Sequence, residues 1–94
     1  MDMDLQELRR RIDGIDAQLV TLLNERQSVS IRIGMHKREL RRSVYDPERE
    51  REMMARLKKM NSGPLTEEAL VAIYGQILAA SHKAQECVQG EEKS

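Results

Sequence analysis

The stretch that decides the fold is DLQELRRRIDGIDAQLVTLLNERQSVSIRIGMHKRELR, residues 4–41. Its apolar residues recur at alternating steps of three and four positions, the spacing of a heptad seam on one face of a helix. This apolar seam contains Leu5, Leu8, Ile12, Ile15, Leu19 and Leu22, and it resumes at Val29 and Ile33. The pattern predicts one long amphipathic helix from Asp4, its N-cap, to about Arg41.

Two positively charged residues occupy positions of the apolar seam. The same steps continued beyond Leu22 reach Arg26 and later Lys37. At about 100° per residue, Arg26 points the same way as Leu8. Lys37 points the same way as Leu19. A charge where the pattern requires hydrocarbon indicates a functional site.

The predicted helix is too long for a compact chain of this size. At about 1.5 Å rise per residue, residues 4–41 form a rod of roughly 57 Å. A compact domain of 94 residues has a radius of gyration of about 12 Å and a diameter on the order of 30 Å. We therefore expect a second copy of the chain to cover the overhang.

The composition predicts one all-α domain, spanning residues 1–94. Charged residues are 34% of the chain and aromatic residues 2%, which suits amphipathic helices and suits strands poorly. Sixteen basic and sixteen acidic residues cancel. No net charge therefore attracts the chain to nucleic acid or to an anionic membrane, and we expect neither partner.

Few features indicate a redox, metal or targeting function. The single Cys87 allows no intramolecular disulfide and no cysteine-based metal cluster. Residues 1–4 lack the apolar core of a signal peptide, and no apolar run approaches membrane-spanning length, so we expect a cytoplasmic protein. His36 and His82 have no Cys or carboxylate at ligand spacing. We predict that both lie on the surface and that no metal is bound.

A second helix begins after the short connection of residues 42–45. Asp46 is its predicted N-cap, and Pro47 supplies the preset φ angle of a first helical position. The helix is predicted to run to about Asn61. Extending its apolar seam toward the N-terminus reaches Glu50, a carboxylate in a position where the pattern requires an apolar side chain.

A third helix of about 21 residues follows the stop signal at residues 61–64. Thr66 is its predicted N-cap. Its seam begins with apolar residues and ends in two polar ones, Ser81 and Gln85. We expect an ordered core over about residues 4–87 and a frayed tail over 88–94.

The polar seam residues can either pair with one another or bind a ligand. An Arg26–Glu50 ion pair is the simplest structural interpretation. It leaves the cation of Lys37 and the donors of Ser81 and Gln85 unpaired, and this positive, donor-rich surplus favours an anionic ligand. Ser81 and Gln85 could instead mark where the third helix emerges into water.

The roles of two further residues are not decided by the sequence pattern alone. Asp46 can be a helix cap only, or a cap that also lines the site. Arg9 lies about 100° from the centre of the apolar seam and taken alone is a surface residue.

Several short motifs, in one order and spacing, resemble a known family. In the first helix they are Leu8-Arg9, Ile12-Asp13, Ile15-Asp16, Leu19, Leu22-Leu23, Glu25-Arg26 and Lys37. In the other two helices they are Tyr45-Asp46-Pro47-Glu48-Arg49-Glu50, and Ser81 with Gln85. Together, over about residues 4–86, they resemble the all-helical chorismate mutases. This resemblance implies three helices per chain and an intertwined homodimer with two identical active sites.

The resemblance also implies a role for each candidate site residue. Arg26, and Arg9 from the opposite chain, would hold the two carboxylates of chorismate. Lys37 and Gln85 would donate to the ether oxygen of the enolpyruvyl group. Glu50, with the backbone near Asp46, would bind the ring hydroxyl. Arg49 and Ser81 would complete the carboxylate contacts.

The implied reaction, a Claisen rearrangement of chorismate to prephenate, requires no proton transfer, nucleophile or cofactor. The enzyme has to select a compact, chair-like conformer and stabilise the charge that grows on the ether oxygen. Bidentate arginines suit the carboxylates of such a dianion. The expected partner is thus a small dianionic substrate, without metal or cofactor.

Two other functions fit the pattern less well. Isochorismate–pyruvate lyases have the same fold, but they carry apolar or small residues where this chain has Asp46 and Glu50. A non-catalytic dimerising helical module is expected to have Leu or Ile at Arg26, Lys37 and Glu50, because an unpaired buried charge costs several kcal/mol.

Overall fold

The computed structural model describes residues 4–90, and these residues form three α-helices and no strand. Helix α1 spans Leu5–Glu39, α2 spans Pro47–Met60 and α3 spans Glu67–Gly90. The predicted all-α class and the order of one long, one short and one medium helix are confirmed. No helix within this range is long and apolar enough to span a membrane.

The side chains predicted to cap the helices do so. In each case the capping oxygen accepts a hydrogen bond from the backbone N–H three residues further on. The distances are 2.9 Å for Asp4 and 3.1 Å for both Asp46 and Thr66. These bonds satisfy N–H groups that a helix leaves unpaired at its start, so the helix beginnings are determined locally.

Helix α1 ends at Glu39, two residues before the predicted end, because the chain turns there in a Schellman motif. Arg41 takes the left-handed conformation, with φ 58°. Its N–H donates to the carbonyl of Arg38 at 3.1 Å, and the N–H of Arg42 donates to that of Lys37 at 2.7 Å. Glycine usually occupies this left-handed position, so no sequence signal marked the end of α1.

The last helix is longer than predicted. It has 24 residues and reaches Gly90, whereas the sequence pattern predicted about 21 residues and an ordered core only to about residue 87. Part of the predicted frayed tail, residues 91–94, lies outside the described residues, as does the acidic start over residues 1–3.

Helix α3 packs along the C-terminal half of α1, and α2 contacts α3. The contacts advance together along both long helices, since Gln27 contacts Ala80, the next pair is Ser30 with Ser81, and Gly34 lies against Gln85. The two helices therefore run in the same direction where they touch. The N-terminal half of α1 extends beyond this contact and gives the molecule its length of 59 Å.

The chain is far from compact. Its radius of gyration is 17.1 Å, compared with about 12 Å for a compact chain of this length. Among residues 4–87 Leu70 is the only buried hydrophobic side chain, while the six seam residues from Leu5 to Leu22 are 45–61% exposed. The accessible surface is 7953 Å², about 2,400 Å² more than a compact monomer of this mass exposes.

Candidate active site

A pocket of about 440 Å³ lies where the C-terminal half of α1, the start of α2 and the C-terminal part of α3 meet. Its volume is within the usual range for small-molecule sites, roughly 300–1,000 Å³. The lining is Arg26, Val29, Ser30, Ile33, Lys37, Val44, Asp46, Arg49, Glu50, Met53, Leu78, Ser81, His82 and Gln85.

The pocket contains seven of the eight residues that the sequence nominated as candidate site residues. They are Arg26, Lys37, Asp46, Arg49, Glu50, Ser81 and Gln85. Each helix or its cap contributes, because the polar interruptions of all three seams fall at the same end of the molecule. The eighth residue, Arg9, is exposed on the N-terminal half of α1 and does not line the pocket.

The cations of the pocket are not neutralised by carboxylates of the described residues. The Nζ of Lys37 donates to the backbone carbonyl of Val44 at 2.9 Å. The Arg26 guanidinium lies 3.8 Å from the sulfur of Met53, a weak acceptor. The Arg26–Glu50 ion pair that the sequence allowed is not formed, so most of the donor capacity of both cations remains for a ligand.

Glu50 pairs instead with a residue that the sequence pattern did not nominate. The His82 Nε2 lies 3.1 Å from the Glu50 Oε1, and both side chains are mostly shielded from solvent. The surface prediction for His82 is therefore wrong, since it lines the pocket and is half-buried. Its ring also meets Tyr45 edge-on, with ring centroids 5.9 Å apart.

The second oxygen of Glu50 and the side-chain oxygen of Gln85 are buried without a hydrogen-bond partner among the described residues. A buried polar atom without a partner is unfavourable unless something binds to it. Two such atoms in one pocket indicate a site built for a polar ligand.

Gln85 is held in the pocket by a close approach of two helix backbones. A Cβ added at Gly34 would lie 2.9 Å from the Gln85 Cα and 3.2 Å from its Cβ. Only glycine therefore permits this separation of α1 from α3. The sequence pattern gives no indication of this role of Gly34, because the second helix that approaches it is not visible in a pattern.

A buried hydroxyl pair lies at the edge of the pocket. The Oγ atoms of Ser30 and Ser81 are 2.6 Å apart, and either can donate to the other. The sequence nominated Ser81 but not Ser30, which lies one residue away from the seam position Val29. Both serines are buried, so this bond fixes the rotation of α3 against α1.

The charge and chemistry of the pocket suit a small anion with polar substituents. Three cations (Arg26, Lys37 and Arg49) face two carboxylates, Asp46 and Glu50. Arginine forks and the lysine ammonium recognise carboxylates. Within residues 4–90 no cluster of three His, Cys, Asp or Glu side chains suited to a metal is present.

The chain is similar to known chorismate mutases in sequence. The family described as "Chorismate mutase type II" matches residues 8–86. A bifunctional chorismate mutase/prephenate dehydratase of Aquifex aeolicus is 41% identical over 81 residues, which are 82% of this chain and 22% of that protein. A protein of the same description from Neisseria gonorrhoeae is 37% identical over 73 residues, 76% of this chain and 19% of that protein. The chain thus spans about a fifth of these two curated relatives.

A third relative and a solved structure match over most of their length. The chorismate mutase of Methanocaldococcus jannaschii is 32% identical over 80 residues, 85% of this chain and 81% of that protein. The solved structure is the "Crystal structure of chorismate mutase from Helicobacter pylori in complex with prephenate", and its chain is 33% identical to this one in sequence. It superimposes with a TM-score of 0.84 over 93% of this chain and 94% of that one. The family resemblance of the sequence is thereby confirmed: the chain belongs to the type II chorismate mutase family.

Proposed function

We propose that this chain is a chorismate mutase that converts chorismate to prephenate by a Claisen rearrangement. The observation that carries the proposal is the convergence of seven polar residues on one pocket, five of them from three apolar seams. The cations of this pocket have no carboxylate partner among the described residues. A dimerisation module has no use for that arrangement, because buried charge weakens an interface unless it is compensated. Family membership supports the same reaction.

In the proposed complex one set of residues binds the carboxylates of the substrate and another set binds its ether oxygen. Arg26, Arg49 and Ser81 are assigned to carboxylate contacts. Lys37 and Gln85 are assigned to the ether oxygen, one from α1 and the other from α3.

The proposed catalysis is electrostatic and conformational. Holding both ends of the substrate selects the compact conformer, which can supply several kcal/mol of orientation. As the C–O bond breaks, negative charge grows on the ether oxygen. Each donor fixed toward that oxygen contributes about 3–4 kcal/mol to the transition state. The backbone contact of Gln85 with Gly34 holds one of these donors in place before the substrate binds.

We further propose an intertwined homodimer in which the N-terminal half of α1 is covered by a second chain. The exposed seam residues of that half are spaced as for a helix–helix contact. The excess surface of about 2,400 Å² per chain is about 4,800 Å² for two chains, which lies within the total area that obligate dimers bury, about 2,000–5,000 Å². Arg9, exposed on this half, is then assigned to the second chain's pocket.

The direct test is the loss of chorismate absorbance on addition of the protein. The product has the same mass as chorismate, so it is identified by its chromatographic retention against authentic prephenate and by its acid conversion. Prephenate is the expected product. Formation of salicylate from isochorismate, with chorismate left unchanged, would favour the lyase of the same fold. No turnover of either compound would refute the proposal.

The shared site is tested by mixing two inactive variants, Arg9→Ala and Arg26→Ala, after unfolding and refolding them together. Random pairing makes half of the dimers hybrid, and each hybrid carries one intact site of two. About a quarter of the activity should therefore return. Each variant refolded alone is the control, and a mixture that stays as inactive as either variant would argue against a site shared between chains.

A further inference from the structure

We propose that His82 is a positioning residue, which holds the Glu50 carboxylate by one oxygen so that the other faces a hydroxyl donor of the ligand. This inference deepens the proposed function and rests on it. It concerns His82 of α3, which the seam pattern did not indicate as a site residue.

The geometry divides the two oxygens of Glu50 between protein and ligand. The Oε1 lies 3.1 Å from the His82 Nε2. The Oε2 is buried in the pocket region and accepts no bond from the described residues. A carboxylate has about four acceptor directions, so a donor supplied by a ligand can bind to Oε2 without displacing the histidine.

The contact with Glu50 determines where the imidazole carries its proton. At 3.1 Å the Nε2 atom and the carboxylate oxygen attract one another only with hydrogen between them. The proposal therefore requires the Nε2–H tautomer or the imidazolium, and not the Nδ1–H tautomer alone. Which of the two ring nitrogens carries the hydrogen can be measured by NMR of the labelled imidazole.

The imidazole also has a contact on a second side. Tyr45, in the connection between α1 and α2, meets the ring at 90° with centroids 5.9 Å apart. Edge-to-face contacts of this kind favour one ring orientation. Contacts between Tyr45 and His82 and between His82 and Glu50 thus link the connection, α3 and α2 at the pocket.

A glutamate without this contact would have three freely rotating side-chain bonds to fix when the ligand arrives. The histidine removes that freedom in advance, which is the general benefit of a pre-organised site. The ring hydroxyl lies on the carbon next to the one whose C–O bond breaks, but its own bonds do not change in the rearrangement. We therefore expect its contact with Glu50 to be made about equally in the ground state and the transition state. Loss of such a contact raises KM and leaves kcat nearly unchanged.

The first test uses chorismate kinetics with three substitutions of His82. His82→Ala should raise KM about tenfold and change kcat less than about threefold. His82→Gln should restore most of the loss, because its amide nitrogen lies as many bonds from the Cβ as Nε2 does. His82→Asn carries its nitrogen only as far out as Nδ1 and should not restore it. Equal behaviour of the two amides, or an unchanged KM in His82→Ala, would overturn the proposal.

The second test separates positioning from a merely structural role by a double-mutant cycle. In a Glu50→Gln background the substitution His82→Ala should raise KM by less than about threefold, because the group that it positions has gone. Independent, multiplied effects would contradict the proposal. His36→Ala removes the exposed histidine of α1 and is the matched control for the loss of an imidazole.

The third test does not depend on catalysis. The chain has two histidines, so ¹⁵N-labelled histidine gives a spectrum in which the ring nitrogens of both can be assigned. His82 should carry hydrogen on Nε2 and should lose this preference in Glu50→Gln, whereas His36 should not change. The same tautomer mixture in both rings would overturn the proposal. A wild-type protein that turned over no chorismate would instead refute the proposed function, and the ring spectrum would still decide whether His82 holds Glu50.

Discussion

The two halves of α1 share one repeat of seam positions but lie in two different environments. From Leu5 to Leu22 every seam position is apolar and about half exposed. From Arg26 to Lys37 the seam is interrupted by cations, and this half packs against α3 and lines the pocket. Among residues 4–90 the half with the regular pattern has no packing partner, and the half with the broken pattern packs against α3.

This difference indicates what each half is for. A regular seam suits association with another helix, because every position can be filled by hydrocarbon. A broken seam suits a ligand, because its charges are unfavourable in an interface and useful in a pocket. Four predictions test this division of α1.

The largest effect is expected from a charge placed in the regular half. In the proposed dimer Leu19→Asp buries an unpaired carboxylate, which costs several kcal/mol in each of two copies. The dimer dissociation constant should rise on the order of a thousandfold or more, as measured by sedimentation equilibrium. Arg10→Asp places a carboxylate on the opposite face of the same helix and is the control. Unchanged association of Leu19→Asp would remove the distinction between the two halves.

The next largest effect is expected from removal of a charge in the broken half. Lys37→Ala should lower the turnover of chorismate by at least about a hundredfold, because a donor to the growing charge on the ether oxygen is lost. Arg26→Ala should lower it by at least as much. Far-UV circular dichroism should show the helices intact in both. Lys83→Ala, which removes an exposed cation of α3, is the control, and near-normal rates in Lys37→Ala would refute the assignment.

Glycine-to-alanine substitutions in the two halves should change the free energy of unfolding in opposite directions. Gly34→Ala forces α1 away from the Gln85 backbone and should lower the free energy of unfolding by about 1–3 kcal/mol. Gly14→Ala meets no atom within 4 Å and should raise it by about 0.5–1 kcal/mol, the usual gain in helix propensity. Denaturant unfolding at a fixed protein concentration measures both. Stabilisation by Gly34→Ala would mean that the two helices are not in close contact.

The smallest effect is expected at the hydroxyl pair. Ser30→Ala leaves the buried Ser81 hydroxyl without its partner and should lower the free energy of unfolding by about 1–2 kcal/mol. Ser28→Ala, on an exposed position of the same turn, should be neutral or slightly stabilising. Identical unfolding curves for the two variants would show that the Ser30–Ser81 bond contributes nothing.

Much of the fold and most of the candidate site could be predicted from the sequence. The caps at Asp4, Asp46 and Thr66 act within one turn of the chain, so their residue types are sufficient to locate the helix beginnings. The charged and polar interruptions of the seams are equally local. A helix face is determined by its own periodicity, and a polar residue on an apolar face stands out before any partner is known.

What the pattern missed belongs to positions beside a seam rather than on it. His82 follows Ser81 by one residue, about 100° around the helix, and the pattern therefore assigned it to the surface. It lines the pocket because α2 brings Glu50 to that side of α3. Ser30 was missed in the same way, since its burial depends on how α3 is rotated against α1.

The sequence alone determined three helices, the starting residue of each, and a set of polar residues interrupting three apolar faces, because caps and periodicity are properties of neighbouring residues. The tertiary structure alone decided which of those faces meet and how closely. It joined His82 to Glu50, brought the Gln85 backbone against Gly34 and left the first half of α1 uncovered. The physical reason is that such contacts depend on the distance and rotation between helices, which no single helix specifies.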